Sequence, residues 1–436
     1  MSLFTDKPVY IVDGCRTPFI KATGVPGPFK ASDLAVNAAK ALLLKSPIST
    51  KDIDEVIVGC VSAAADEANI ARIIALRLGC PQKIPAWTVH RNCASGMQSI
   101  DSAARNIALG DADIILAGGT EAMSHHPVML NNTMVNWLGL LQQKRSFIDK
   151  LLHFLKLRPI HFKPVIALLK GLQDPFNGMS MGQTAEQLAW RFSISRQAMD
   201  EFSVNSHQRL AKAIDSGVLT DEVTAIFTSA GEIFENDNGV RRDSSIEKLN
   251  KLKPVFDKKV GAVTAGNSAQ ITDGACMLLL ASEKAVERHQ LEPIGQLVDS
   301  QWSGVNPAEM GLGPVYAMSE IMQRHQFKSS DIDYWEINEA FAAQVLACES
   351  AWQDESFCQS ELGIDSPYSP IDKDCLNIDG GGVSLGHPVG TSGARIVLHL
   401  TNVLNKNNAK LGLASLCIGG GQGGAMLIQG LRGASS

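Results

Sequence analysis

The sequence predicts an α/β protein in which a mainly parallel or mixed sheet is covered by helices on both faces. Compact apolar segments of strand character alternate with amphipathic helix patterns through the first third of the chain. Glycine is abundant, at 38 of 436 residues, which suits many tight turns between strands and helices. The same alternation returns towards the carboxyl end, which indicates a duplicated architecture of two similar halves.

The first half begins with a buried-strand pattern, PVYIVDGC, at residues 8–15. A helix follows over 32–45, with Ser32 or Asp33 expected as its N-cap, because short polar side chains accept hydrogen bonds from the first free amides. The alternation then continues with a strand at 55–61, a helix at 69–79 and a strand over PAWTVHRNC that ends at Cys93.

A cysteine stands at the start of a strong helix pattern in residues 90–110. Small residues follow it at 94–96, so backbone amides there could approach a bound group closely. A thiol at a helix N-terminus experiences the positive end of the helix dipole, which favours the nucleophilic thiolate. Cys93 is therefore a candidate nucleophile. The alternative is a small buried hydrophobe, the commoner role of a free cysteine.

Segments of the second half repeat segments of the first in the same order. STKDIDEVIVGC resembles SSDIDYWEIN, the segment 378–404 resembles the Cys93 turn and helix, and LGLASLCIGGG parallels ADIILAGG. Two such halves facing each other would bring equivalent turns to one shared site.

Residues 120 to about 255 break this pattern. Within them, the segment 134–172 combines apolar residues with seven Lys or Arg and only one acidic residue, Asp149. One interpretation is an interfacial amphipathic hairpin, broken at Pro159 and Pro164 and attracted to anionic lipid or an acidic partner. The other is a basic helical excursion that packs on the body of the protein. The sequence leaves both open.

Composition excludes several classes of protein. A formal charge of −6 argues against nucleic-acid binding, which usually needs a strongly basic face. Nine cysteines without a CxxC pair or zinc-like spacing favour reduced thiols in a cytoplasmic protein and no metal site. Neither a signal-peptide pattern nor an uninterrupted run of about 18 apolar residues is found, so we expect neither secretion nor a spanning helix.

Two thiols, an imidazole and a carboxamide are each predicted at the end of an element. GHPVG places His387 at a helix start, CIGGG places Cys417 at a strand end, and NEAFAAQ places Asn338 at a strand-to-helix junction. In such a set one cysteine can carry an acyl group as a thioester while the histidine accepts its proton. The other can move a proton at a carbon next to a carbonyl. Amides near Cys93 and Gly419 could form oxyanion holes.

Four segments, CASGMQS, NEAFAAQ, GHPVGTSGAR and CIGGGQGGA, together resemble the thiolase family, and the resemblance covers nearly the whole chain. It implies a duplicated, five-layered αβαβα fold with an inserted loop domain. It also implies Cys93 as the acyl-accepting nucleophile, His387 as its activating base and Cys417 as the acid and base at the α-carbon. Asn338 would hold the water of one oxyanion hole, and Gly419 would donate a backbone N–H to the other.

The resemblance also implies a division of the chain and a binding site for coenzyme A. Residues 1–123 with 250–284 would form the N-terminal half, 124–249 the loop domain that binds coenzyme A, and 285–436 the C-terminal half. The residues at matching coenzyme A positions are Met181, Arg241, Ser268, Ala340 and Phe341. Coenzyme A and acyl-CoA are expected as substrates, with no permanently bound cofactor.

In its length and its basic excursion, the chain most resembles the β-subunit group of the fatty-acid-oxidation trifunctional complex. That group usually has His where this chain has Asn338, and many thiolases have Ser where it has Ala269. The expected reaction is thiolysis of 3-oxoacyl-CoA in fatty-acid β-oxidation. The alternatives are an acetyl-CoA acetyltransferase and a non-catalytic lipid-carrier or scaffold relative. The expected partners are copies of this chain in a homodimer or homotetramer, a hydratase/dehydrogenase α-subunit and a membrane surface at 134–172.

Overall fold

A computed structural model describes residue 4 and residues 7–431 of the chain. Ten strands form the large sheet, and two pairs of short strands lie outside it. In chain order the strands are β1 (Val9–Arg16), β2 (Ile20–Lys21), β3 (Glu55–Gly59), β4 (Ala86–Val89), β5 (Ile114–Ala122), β6 (Val128–Met129), β7 (Val165–Ile166), β8 (Ile226–Phe227), β9 (Ile233–Phe234), β10 (Thr272–Ser282), β11 (Gly295–Gly304), β12 (Tyr334–Ile337), β13 (Leu411–Ile418) and β14 (Gln422–Gly430).

The order of the strands shows two matching halves. The sheet runs β12-β13-β14-β11-β1-β10-β5-β3-β4, with β2 on β10. β1 and β11 meet at the middle in a short antiparallel pairing in which Tyr10 lies opposite Gln296. On either side the same plan follows, an antiparallel strand pair and then parallel strands. The duplicated architecture predicted from the sequence is confirmed by this order.

The helices connect these strands and cover the sheet. They are α1 (Ala31–Lys45), α2 (Ile70–Arg77), α3 (Ser95–Leu109), α4 (Asn132–Gln142), α5 (Phe147–Phe154), α6 (Ala167–Gly171), α7 (Met181–Arg191), α8 (Arg196–Ser216), α9 (Ile246–Leu249), α10 (Glu283–His289), α11 (Gly313–His325), α12 (Ala342–Gln353), α13 (Glu355–Phe357), α14 (Gly382–Leu385) and α15 (Val389–Lys406). Short 3₁₀ turns lie at 65–67, 123–125, 159–162, 307–312 and 329–331, and a π turn lies at 358–362.

Three large hydrophobic cores join five layers of helices and strands, and the central core contacts both halves of the sheet. One core packs α1 and α2 on the outer face of the first half of the sheet. The central core packs α3 and α15 between the two halves, and the third packs α11 and α12 on the outer face of the second half. The strands carry apolar side chains on both faces, and helices bury both faces, as expected for a sheet covered on each side. The αβαβα layering implied by the resemblance is therefore confirmed.

The N-cap of α1 differs from the sequence prediction. The cap is Lys30, and the Asp33 side chain instead accepts the Lys30 backbone N–H from inside the first turn, at 2.9 Å. Ser32 is buried, where its hydroxyl contacts Glu67 and accepts a hydrogen bond from Arg77 at 2.6 Å. Both polar residues were correctly placed at the helix start, but these tertiary contacts determine which residue begins the helix.

The predicted hairpin at 134–172 forms, but it turns at a different place. α4 and α5 lie side by side, and the chain reverses between them at 143–146 rather than at Pro159 or Pro164. Trp137 and His153 hold the pair together: the Trp137 indole N–H donates to the His153 carbonyl at 3.2 Å, and the two rings stack. Across residues 7–431 we find no helix long and apolar enough to cross a membrane.

The predicted domain boundaries at 124, 250 and 285 stay predictions. Strand β10, from the segment predicted to return to the first half, does lie between β1 and β5. The chain ends of the two predicted halves, at 1–3, 5–6 and 432–436, lie outside the described residues.

Candidate active site

Two helix starts meet at the centre of the molecule. Cys93 lies directly before the N-cap residue of α3, and His387 lies directly before the N-cap residue of α15. The two helices approach backbone to backbone, because a Cβ added to Gly96 would lie 2.8 Å from the Gly390 carbonyl oxygen. Glycine at both positions is what permits this close approach.

The turn before α3 is held by the second half of the chain. Asn92 adopts a left-handed conformation, with φ at 44°, which asparagine tolerates better than most residues. Its side-chain amide donates to the Gly419 carbonyl at 2.7 Å. The Gly419 backbone N–H in turn hydrogen-bonds to the Cys93 sulfur. The nucleophile candidate of one half is thus bound on both sides to a turn of the other.

The thiol of Cys93 is not ionised by its position alone. Burial raises its pKa above the ordinary value, and the hydrogen bonds from the Gly419 and Cys93 backbone amides only partly oppose this. The amides favour the thiolate, as expected at a helix start, but burial outweighs them because removing the charged form from water costs more than the amides return. A separate base is needed to take the proton.

His387 has the properties of such a base. Burial first, and then the positive charge of Arg395, lower its pKa to about 4, so the ring is neutral near pH 7. Its Nδ1 lies 2.6 Å from the Ser392 hydroxyl, which itself donates to the Pro388 carbonyl at 3.2 Å. Because a carbonyl only accepts, the serine oxygen is left to accept the Nδ1 proton.

This arrangement leaves the other ring nitrogen of His387 without its proton. Nε2 is buried and has no hydrogen-bond partner among the described residues. A neutral imidazole with Nδ1 protonated carries its lone pair on Nε2, which is the atom able to accept a proton.

Asn338 and Cys417 end neighbouring parallel strands beside this histidine. The Asn338 side-chain nitrogen lies 3.5 Å from His387 Nδ1, longer than a normal hydrogen bond, and its Oδ1 has no partner in the described part of the chain. Cys417 is buried against Met310 and Ala340. Burial and the neighbouring Cys93 thiol hold its pKa well above the ordinary value, so it is a proton-carrying thiol.

A cavity of about 560 Å³ reaches these groups from the surface. Cys93, His387 and Cys417 line it, and so do all five residues predicted to contact coenzyme A: Met181, Arg241, Ser268, Ala340 and Phe341. The volume is within the range of small-molecule sites. Asn338 lies behind His387 and Gly419 beside Cys93, both outside the lining.

Several of the lining residues are held by fixed contacts. The Arg241 backbone N–H donates to His207 on α8 at 3.1 Å, which fixes the loop that carries this cation at the cavity. The Ser268 hydroxyl donates to the Thr264 carbonyl at 2.7 Å. The Ala269 backbone N–H donates to the Ala340 carbonyl at 3.0 Å. The walls are therefore largely formed before a ligand enters.

Sequence reasoning missed several residues of this site, among them Asn92, Ser392, Met310 and Leu172. Asn92 and Ser392 lie inside the quoted motifs, and the tolerance of asparagine for a left-handed turn was the available signal for the first. Met310 and Leu172 line the cavity from segments with no motif. Their position follows only from tertiary packing, so no local pattern could have indicated them.

Two family models match the chain: the thiolase N-terminal domain over residues 9–284 and the thiolase C-terminal domain over residues 291–430. The chain therefore belongs to the thiolase family, as the motifs predicted, and it is an acyltransferase. This classification removes the non-catalytic lipid-carrier or scaffold relative that the sequence alone left open.

Relatives and solved structures agree with this classification. A probable acetyl-CoA acyltransferase of Staphylococcus aureus (strain COL) is 38% identical over 424 residues, which are 96% of this chain and 98% of that protein. Human mitochondrial 3-ketoacyl-CoA thiolase, solved in complex with CoA, is 35% identical with a TM-score of 0.84 and 99% of each chain covered. Acetyl-CoA acetyltransferase from Syntrophomonas wolfei is 33% identical with a TM-score of 0.85, covering 98% of this chain and 100% of that one.

Proposed function

We propose that the chain cleaves 3-oxoacyl-CoA with coenzyme A, giving acetyl-CoA and an acyl-CoA shortened by two carbons, through a thioester on Cys93. The observation that carries the proposal is the set of groups on one cavity: two protonated thiols and a neutral imidazole whose Nε2 has no described partner. One thiol can carry the acyl group, and the other can supply and take up the proton at carbon.

In the first half-reaction, Nε2 of His387 takes the Cys93 proton and the sulfur attacks the 3-oxo carbon. The bond between carbons 2 and 3 then breaks, and its electron pair forms the enolate of acetyl-CoA. Cys417 gives its proton to that carbon, so acetyl-CoA leaves and the acyl group remains on Cys93. The Gly419 and Cys93 backbone N–H groups are suited to stabilise the oxyanion.

In the second half-reaction, the Cys417 thiolate takes the proton of the coenzyme A thiol. The coenzyme A sulfur attacks the acyl carbon on Cys93, and the acyl-CoA leaves as the bond to Cys93 breaks. The imidazolium of His387 returns its proton to the Cys93 sulfur. A water held by Asn338 would stabilise the enolate oxygen, because its Oδ1 is buried with no partner among the described residues.

For the ligand, Met181, Arg241, Ser268, Ala340 and Phe341 would contact coenzyme A. The lining supports this part of the proposal, since two cations, Lys21 and Arg241, stand among mainly apolar side chains at the cavity. A guanidinium suits a phosphate group, and apolar walls suit the pantetheine and acyl chains.

The acetyltransferase that condenses two acetyl-CoA molecules is the second candidate, and Asn338 is the observation that favours it. The apolar residues Leu169, Leu172 and Ile271 on the same cavity favour a longer acyl chain and hence thiolysis. A series of 3-oxoacyl-CoA substrates of increasing length separates the two. We expect kcat/KM to rise beyond acetoacetyl-CoA, and activity confined to acetoacetyl-CoA would establish the second candidate instead.

The thioester is tested independently of chain length. After incubation with acetyl-CoA alone, the intact protein should gain the mass of one acetyl group, located on the peptide that contains Cys93. Failure to form this adduct would contradict the mechanism for both candidate reactions.

The proposed setting of the enzyme is cytoplasmic fatty-acid β-oxidation, as a homodimer or homotetramer that pairs with a hydratase/dehydrogenase α-subunit. Its nine cysteines, all in the described part of the chain, are free thiols, which supports a reducing compartment. Light scattering of the purified chain measures the oligomer, and co-purification from its own source tests the α-subunit.

A further inference from the structure

One helix of the molecule has a large apolar face exposed to solvent. Five residues of α5 and its C-cap are between 54% and 80% exposed: Phe147, Ile148, Leu151, Leu152 and Leu155. At 3.6 residues per turn they occupy one arc of about 140°. A contiguous apolar face on an otherwise soluble protein indicates an interaction surface.

The opposite face of α5 carries His153, which packs on α4. His153 is buried and its ring stacks on Trp137, while the half-exposed Phe154 ring, beside the apolar arc, meets the same indole edge to face at 5.1 Å. The His153 imidazole Nε2 lies 2.9 Å from the Trp137 carbonyl. The packing of His153 on α4 therefore leaves the apolar arc on the other side of α5 exposed to solvent.

The segment that carries this arc has a strong positive charge. All seven basic residues of the segment are exposed: Lys144, Arg145, Lys150, Lys156, Arg158, Lys163 and Lys170. Asp149 is the single acidic residue of 134–172, so this segment is cationic within a chain of formal charge −6. Apolar side chains with surrounding cations match the interfacial zone of a membrane that contains anionic lipids.

This charge argues against a second copy of the chain as the occupant. A symmetric contact places the same patch of both copies together. Seven cations would then face seven cations, at an unfavourable electrostatic cost. An anionic bilayer satisfies both features at once, because its head groups pair with the cations and its acyl region receives the apolar side chains.

The same basic segment also reaches the active-site cavity. α6 directly follows the basic stretch, and Leu169 on this helix is 61% exposed while it also lines the cavity. Leu172, just beyond α6, lines the same cavity. One segment thus carries both the exposed apolar arc and two residues of the cavity wall.

We propose that residues 144–170 dock this enzyme on anionic lipid bilayers, with the apolar arc of α5 inserted among the head groups. The docking is peripheral and concerns a surface outside the catalytic groups, so it does not depend on which acyl chain the enzyme cleaves.

The test is flotation of the full-length protein with lipid vesicles. Vesicles of phosphatidylcholine with about one-third phosphatidylserine should bind the protein near 0.1 M salt, and pure phosphatidylcholine vesicles should bind it far less. Leu151→Ser combined with Leu155→Ser should lower the partition coefficient by about tenfold or more, because two large side chains no longer enter the apolar zone. Lys144→Glu combined with Arg145→Glu should lower it for anionic vesicles.

The matched control is Leu44→Ser on α1, which removes a side chain 88% exposed on another surface and should leave binding unchanged. Acetyl-CoA acylation of Cys93 in every variant checks that the fold is intact. Two results would overturn the proposal. One is absence of binding to the anionic vesicles. The other is a loss on charge reversal with no loss in the Leu151→Ser, Leu155→Ser variant, which would identify a purely electrostatic acidic partner.

Discussion

The two halves of the chain use the same strand plan but present different side chains at equivalent points. Aligned on the first pair of each parallel ladder, Gly59 of the first half corresponds to Asn338 of the second, and Thr120 corresponds to Cys417. The helix starts correspond as well, since Cys93 precedes α3 as His387 precedes α15.

At Gly59 and Thr120, the positions that correspond to Asn338 and Cys417, the first half offers no unpaired polar side chain. A Cβ on Gly59 would lie 2.3 Å from the Ser95 carbonyl carbon, so that space is filled by the α3 backbone. The Thr120 hydroxyl donates to the Ala31 carbonyl at 2.7 Å. In the second half, Oδ1 of Asn338 has no described partner. The difference teaches that one half supplies the nucleophile and a rigid support, while the other supplies the remaining chemistry.

The largest expected effect comes from removing the one reactive group of the first half. Cys93→Ala should lower the rate of CoA-dependent cleavage by about 10⁴-fold or more, because no thioester can form. Initial rates and the mass of the protein after acetyl-CoA treatment measure this. Cys375→Ala is the control, since this half-buried thiol lies away from the cavity and should leave both readouts unchanged. Wild-type turnover in Cys93→Ala would overturn the assignment.

Cys417→Thr copies the residue of the first half into the second. It should lower cleavage by about 10³-fold, because a hydroxyl is a far weaker acid than a thiol and cannot move the α-carbon proton as well. Acylation of Cys93 by acetyl-CoA should persist, as seen by intact mass. Thr120→Ser, which keeps the hydroxyl, should retain normal cleavage. Loss of acylation together with cleavage would give Cys417 a role in the thioester step instead.

Asn338→Gly makes the second half resemble the first at the other point. The rate should fall by about 10²-fold, the typical cost of losing one contributor to an oxyanion site. The fall should appear in kcat more than in KM, because Asn338 lies behind His387 and outside the cavity lining. Asn338→Ser, which keeps a polar atom, should recover part of the rate. An unchanged kcat would remove Asn338 from the mechanism.

The smallest effect concerns pH. The base must be neutral, and the pKa of His387 is lowered to about 4 by burial and Arg395. Protonation therefore inactivates the base only as pH falls towards that value, and kcat/KM should be nearly constant between about pH 6 and 7, where an ordinary histidine titrates. Circular dichroism at each pH separates acid unfolding from titration. An acid limb centred near the ordinary histidine pKa would contradict this environment for His387.

Much of the division of the fold into two similar halves could be predicted from the sequence. Strand and helix periodicity and the order of the glycine turns are local patterns. Strand β13, which carries Cys417 next to its last residue, and the helix that follows His387 both form where expected. Two local predictions were wrong, those of the α1 N-cap and of the place where the α4–α5 hairpin turns. The contact of Ser32 with Glu67 decides the first, and the contact of Trp137 with His153 decides the second.

The electrostatics of the site could not be predicted in the same way. The motif around Cys93 indicated a helix N-terminus, and the structure has one, but burial outweighs its effect on the pKa of the thiol. Burial depends on layers that are distant in sequence. The contact of Ser392 that sets the tautomer of His387 similarly requires the packing of α15, although the residue itself lies within a recognised motif.

The contact between α3 and α15 has a consequence for how the enzyme responds to heat. Gly393 has so little room that a Cβ there would lie 2.6 Å from the Met97 backbone nitrogen, and Gly96 meets Gly390 in the same way. Because main chain and not flexible side chains sets this spacing, rotamer disorder cannot separate the nucleophile from its base. On heating, catalytic activity should therefore be lost together with the central layer in one cooperative transition, after any loosening of the outer loops.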